Sequence, residues 1–134
     1  MGKTPFVREK GMIDAKKILH YLICSSPWVN PRQTVDTVYF GEEEREVEKV
    51  GVCWIPAIQT LRAAHKAGCG MVVAHEPLFW EHLPTDRYWY DKEPGITKRK
   101  FLEETGMVVV RAHDSWDIRA EVGIRDSWAQ GLGL

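Results

Sequence analysis

A single α/β domain built on a mainly parallel sheet, with helices packed on its faces, is the fold class this sequence predicts. Two apolar runs, Gly70-Met-Val-Val-Ala74 and Gly106-Met-Val-Val-Val-Arg-Ala112, are short, rich in β-branched residues and opened by glycine. Those are the marks of strands buried on both faces. Segments with helical spacing stand between and around them, and such alternation points to parallel strands joined by right-handed crossovers. At 134 residues, 44% hydrophobic and 28% charged, the chain is sized for one packed core with an ordinary globular composition.

The elements follow in order. Met12 to Cys24 carries Ile13, Ile18, Leu19, Leu22 and Ile23 at helical spacing with Lys16 and Lys17 opposite, which predicts an amphipathic helix. Ser25 to Pro31 ends it, because two prolines and an asparagine favour turn or extended backbone. Val35 to Gly41 reads as a short strand or ordered loop, and Gly41 to Glu48 as a solvated acidic turn. Val47 to Ile55 reads as a strand closed by Pro56, and Ala57 to Ala67 as a helix stopped by Gly68. Gly70 to Ala74 is the next strand. A helix from Pro94 to about Glu104 presents Ile96, Phe101 and Leu102 to the core, and Gly106 ends it before the strand Met107 to Ala112. Gly123 to Gly131 reads as a last helix with Ile124, Trp128 and Leu132 towards its buried side. No repeat, low-complexity tract or linker divides residues 1–134.

Composition excludes some function classes. A formal net charge of -1 disfavours electrostatic binding to nucleic acid or an anionic membrane. No apolar run approaches the roughly 20 residues that span a bilayer. Met1 to Lys10 has neither the apolar core of a secretion signal nor a myristoylation pattern. Cys24, Cys53 and Cys69 are odd in number and widely spaced, so they read as buried free thiols of a cytoplasmic protein.

Chemistry concentrates where the two apolar runs end. The first breaks off into His75-Glu76-Pro77 and the second into His113-Asp-Ser-Trp-Asp117. Open α/β sheets place ligands beyond the carboxyl ends of their strands, so two such clusters suggest one site between neighbours. Imidazole and carboxylate suit zinc, iron or manganese, which makes His75, Glu76, His113 and Asp117 the candidate metal ligands. Pro77 gives the first cluster a rigid turn. His113 either ligates or orients a neighbour, and Ser115-Trp116 suits a loop better than a strand. Each residue taken singly is more often structural; Asp117, for instance, fits a turn cap. The coincidence at two strand ends is what favours the shared site.

Other features weigh less. His82, seven residues beyond His75, reads as an exposed loop histidine, with a swing into the site as the alternative. Trp80, Tyr88, Trp89 and Tyr90 in the same long connection form either a lid or subunit contact, or simple packing onto the sheet. His20 and His65 read as surface or core-edge residues, and Lys98-Arg-Lys100 as a solvated helix face. Phosphate-binding glycine loops and the Gly-x-Ser-x-Gly elbow are absent.

Val73-Ala-His-Glu-Pro-Leu-Phe79 resembles the His-His-Pro-Leu segment of the NIF-three-like (YbgI-like) proteins. Arg111-Ala-His-Asp-Ser-Trp-Asp117, Gly123-Ile-Arg-Asp126 and Gly131-Leu-Gly-Leu134 resemble that family's later motifs, and Asp36 to Gly41 echoes an early one. The likeness runs from about residue 30 to residue 134, in the family's order. It implies a dinuclear metal centre on an α/β scaffold, in proteins that assemble as toroidal homo-hexamers. His75 matches a ligand histidine and Asp117 the ligand carboxylate, while Glu76 stands where the second ligand histidine belongs. The family completes its site with a His-x-x-x-Glu pair late in a longer chain, and this sequence contains none. A fragment, a short relative, or a site completed by another subunit are the readings this leaves. With the donors present, one metal with open water positions is expected rather than two.

Two functions stand at this level. One is a metal-dependent hydrolase acting through metal-activated water on a small-molecule substrate, with Glu76 as ligand or general base. The other is a non-catalytic assembly or regulatory module that keeps the site for structure or in degenerate form.

Overall fold

The computed structural model describes residues 11–83 and 85–134. The expectations about a secretion signal and a myristoylation site fall on residues 1–10, outside that range. The elements are α1 (Ala15–Cys24), β1 (Thr37–Phe40), β2 (Val50–Cys53), α2 (Ile58–Lys66), β3 (Met71–Ala74), α3 (Gly95–Thr105), β4 (Val108–Arg111), α4 (Asp114–Asp117) and α5 (Ile124–Leu132).

The four strands form one sheet in the order β1-β4-β3-β2. Strands β2, β3 and β4 run parallel, and β1 joins β4 antiparallel. The mainly parallel α/β class is therefore the observed one. Successive residues of β3 and β4 alternate between two cores, as a period of two requires. Val72, Ala74 and Val109 pack with Leu61 of α2, Leu102 of α3, Leu78 and Phe79. Met71, Val108 and Val110 pack with Ala15 of α1 and with Val47. The crossover helices α2 and α3 thus share one face, as successive crossovers of one hand demand, and α1 covers part of the other.

Local chemistry sets the helix ends. The Asp14 carboxylate accepts the Lys17 N–H at 2.8 Å and caps α1, so the helix starts three residues later than its apolar pattern suggested. Met12 and Ile13 belong to an extended lead-in, where Ile13 bridges Val47. Gly106, at φ 63°, closes α3 in the left-handed conformation that glycine adopts without strain, and its N–H reaches the Leu102 carbonyl.

Two surface expectations are corrected. Lys98 lies buried rather than on a solvated face, because it points from α3 beneath the loop after β3 and donates to the Leu78 carbonyl at 2.6 Å. Trp128 and Leu132 of α5 are each 67% exposed, because among the described residues α5 meets chiefly α4 and lies away from both cores. All three cysteines are free thiols as expected, but only Cys69 is buried; Cys53 is half-buried, and Cys24, the last residue of α1, is exposed, which corrects the expectation that all three lie inside.

Candidate metal site

The sheet builds the site. The parallel register sets Ala74 opposite Arg111, so the residues that follow them, His75 and Ala112-His113, leave adjacent strands side by side. Beyond β3 the backbone stays tied to β2: the N–H of His75 donates to Cys53 O at 3.3 Å and that of Glu76 to Trp54 O at 2.9 Å. Beyond β4 the chain turns at once into α4, which carries Asp117 one turn past His113.

The turn is capped from a distance. The Asp36 carboxylate, 4% exposed, accepts the N–H groups of His113 and Asp114 at 2.8 Å each on one oxygen. Its other oxygen accepts the N–H of Ser115 at 3.0 Å. A negative charge on three orphan donors at a helix start is favoured both by hydrogen bonding and by the helix dipole. The expectation of a loop over residues 113–117 missed this turn because its cap sits 77 residues earlier.

Three of the four candidate ligands converge. His75, His113 and Asp117 each offer one donor atom within 4.8 Å of the others, and the group could hold a metal ion. The Nε2 of His75 lies 2.6 Å from Asp117 Oδ1, and the Nδ1 of His113 lies 3.4 Å from Asp117 Oδ2. Donors sharing one ion at bond lengths of about 2.0–2.2 Å sit at most roughly 4.4 Å apart. The group fits that span with small side-chain adjustments, and its two imidazoles and one carboxylate are the donor chemistry of zinc, iron and manganese. Glu76 stands apart from the three, its Oε1 at 3.2 Å from the other ring nitrogen of His75.

The surroundings fix these side chains. Trp54 stacks on His75 with ring centroids 4.0 Å apart and planes 7° from parallel, and His113 lies 4.5 Å from His75. Asp114 accepts from the Thr34 hydroxyl at 2.8 Å and the Val35 N–H at 3.1 Å, and stands 3.0 Å from Nδ1 of His113. Burial alone would raise the Asp114 carboxyl, but hydrogen bonds with Thr34, His113 and Val35 outweigh it and hold the group below the usual carboxylate value. Arg111, 1% exposed, donates from Nε to the His75 carbonyl at 3.2 Å. Beside the site, on the α1 face, lies an apolar cleft of about 630 Å³ lined by Ile18, Leu22, Val52, Val73, Trp54 and Trp116, with His75 at its wall.

Asp36, Arg111, Trp54 and Thr34 support the site without being marked by the ligand motifs. Arg111 carried a signal, being the one charged residue in an otherwise apolar run. Asp36 stood within a recognised motif, yet nothing local tied it to residues 113–115. No helix among the described residues is long and apolar enough to cross a membrane.

Comparison with solved structures places this architecture among known ones. Reduced HcgD from Methanocaldococcus jannaschii superimposes with a TM-score of 0.72 at 22% identity, over 94% of this chain and 49% of that one. A Bacillus cereus protein related to NIF3 gives 0.71 at 19% identity, over 92% and 33%, and Staphylococcus aureus protein SA1388 gives 0.67 at 19%, over 91% and 34%. Identities this low establish the fold alone, and the chain spans from a third to a half of those proteins. A search among curated proteins gives no match. The model of the Duf34/NIF3 (NGG1p interacting factor 3) family matches residues 33–134, the stretch that holds the sheet, the capping aspartate and every candidate ligand, and on that match the chain belongs to the Duf34/NIF3 family.

Proposed function

We propose that this chain binds a divalent metal ion through His75, His113 and Asp117 and serves as a metal-dependent hydrolase. The observation that carries the reading is the convergence of the two strand ends: Nε2 of His75 and Nδ1 of His113 both face the Asp117 carboxylate, at 2.6 and 3.4 Å. A bound zinc, iron or manganese ion would supply Lewis acidity and a water of lowered pKa. The chain's own residues do the rest. Glu76, hydrogen-bonded at Nδ1, selects the tautomer in which Nε2 of His75 is the free donor, as carboxylate–histidine pairs do at metal sites. The same carboxylate would otherwise serve as a ligand to the ion or as a general base towards its water. Trp54 shields one face of His75, and the apolar cleft supports a small-molecule substrate with an apolar or aromatic body. The three free thiols support a cytoplasmic location.

Purified protein should contain metal, and turnover on phosphodiesters, cyclic nucleotides or nucleotides should disappear in His75→Ala and Asp117→Ala. Metal content unchanged in the double variant would overturn the site. A second reading, an oligomeric assembly module, is favoured by the edge of the sheet. Among the described residues strand β2 is the edge of the sheet with no partner on its outer side, and Val52 within it and Trp54 and Ile55 just after it are 84%, 48% and 47% exposed. Under that reading the protein is a homo-oligomer, a hexamer in the family's manner, and binds metal without turnover. Light scattering tests it; a strict monomer at micromolar concentration counts against it.

A further inference from the structure

His82 lies outside the family motifs, in the connection between β3 and α3, and its ring stands 5.9 Å from that of His113 at an angle of 84°. His113 also lies 4.5 Å from His75, so three imidazoles gather at the ends of β3 and β4. The backbone at His82 is held with unusual care for an exposed loop. Arg111, whose Nε holds the His75 carbonyl, donates from Nη1 to the His82 carbonyl at 2.6 Å. One buried guanidinium therefore fixes the two histidine backbones relative to each other.

The residues before His82 are pinned as well. Trp80 has φ 65°, a conformation that L residues other than Asn and Asp seldom adopt, and its ring covers the Lys98 ammonium at 3.9 Å. Glu81 is 7% exposed; its carbonyl accepts the Tyr39 hydroxyl at 3.2 Å and its Oε1 accepts the Trp89 N–H at 2.6 Å. The main chain of residues 80–82 is thus anchored to the sheet and to Trp89 of the same loop, and it presents the exposed His82 ring edge-on to His113.

We infer that His82 is a further protein donor to the ion held by His75, His113 and Asp117. Rotation of its side chain about the fixed backbone turns a set of three donors into His3Asp, which fills a tetrahedral shell from this chain alone. The inference rests on the metal reading above. Of the four donors His82 is the most exposed, and so it is the one that water or substrate displaces. His82 would thus hold the ion more firmly in the absence of substrate and leave a coordination position for water or substrate when displaced.

Metal-stripped protein titrated with Co2+ and read by visible absorption tests this. Four-coordinate Co2+ absorbs far more strongly than six-coordinate Co2+, so the spectrum reports the shell directly. His82→Ala should keep the far-ultraviolet circular dichroism of the parent, weaken Co2+ binding by about ten-fold or more, and lower the visible band as water replaces imidazole. Added imidazole should restore the band, and His65→Ala, which removes a histidine on α2, should change nothing. If His75→Ala and Asp117→Ala abolish binding while His82→Ala leaves affinity and spectrum unchanged, the role of His82 is refuted and the metal reading stands. If the parent chain binds no Co2+, or binds it regardless of His75 and Asp117, both fall.

Discussion

Substituting Asp36 separates the charge of the α4 cap from its shape. One carboxylate oxygen serves the N–H groups of His113 and Asp114 at 2.8 Å, and the other serves Ser115 at 3.0 Å. Asp36→Asn can keep the first two bonds, but it sets an amide donor against the Ser115 N–H and removes the charge. One hydrogen bond to a charged group is worth about 1.5–3 kcal/mol, and the helix-dipole contribution about 0.3–1 kcal/mol. A loss of roughly 2–4 kcal/mol follows for Asn. Asp36→Ala removes all three acceptors. Simple addition gives about 5–10 kcal/mol, but the turn can fray and admit water, so about 3–5 kcal/mol is expected. Urea unfolding of metal-free protein measures this as a lowered midpoint at unchanged slope. Because His113 and Asp117 ride on the capped turn, Co2+ affinity of both variants should fall too. Stability of Asn and Ala variants within about 0.5 kcal/mol of the parent, with metal affinity intact, would refute the cap as the device that builds the site.

Lys98 predicts a pH dependence. Burial pushes its ammonium down from 10.5 to about 8. The unfolded chain therefore holds a proton between pH 8 and 10.5 that the folded chain has released, so stability contributed by this residue rises with pH across that window and is lost as pH falls through 8. The stability difference between parent and Lys98→Met should shift in the parent's favour by up to roughly 3 kcal/mol from pH 7.5 to 10.5; the contact with Trp80 makes that a ceiling. A flat difference over the window would show that the ammonium keeps its ordinary pKa. Leu61→Ala, at a fully buried position on α2, should cost about 2–5 kcal/mol in urea unfolding and leave Co2+ affinity of the folded protein unchanged. A loss below 1 kcal/mol would contradict the packing of α2 on the sheet.

The order of elements was legible because each long element has a strong local pattern. Apolar β-branched runs between helices of amphipathic spacing left few architectures open, and the parallel strands β2, β3 and β4 follow from them. The limits of the elements were less legible. Val47 looked like the start of β2, but it pairs with Ile13 and leaves the ladder to Val50–Cys53. His75, His113 and Asp117 could be read from chain position, since strand ends and ligand chemistry are both local. Their supports could not. Asp36 and Arg111 act on residues 77 and 36 positions away, and no periodicity records such a pairing.

Those supports also bear on register. Strands β3 and β4 bury apolar side chains on both faces, so a slip of one residue would exchange valine for valine and expose little. Hydrophobic pattern, which fixes register where one face is wet, is nearly silent here. Polar groups speak instead. Arg111 is 1% exposed, and its guanidinium finds the His75 and His82 carbonyls only when Arg111 sits opposite Ala74. A slipped strand would strand that charge in the interior at a cost of several kcal/mol. On the other side of β4, the antiparallel pairing of Thr37 with Arg111 is what delivers Asp36 to the start of α4. The register that satisfies these two charged residues is the same one that aligns His75 with His113. Specification of the sheet and assembly of the donor set are therefore one event, and a change at Arg111 or Asp36 should disturb both together.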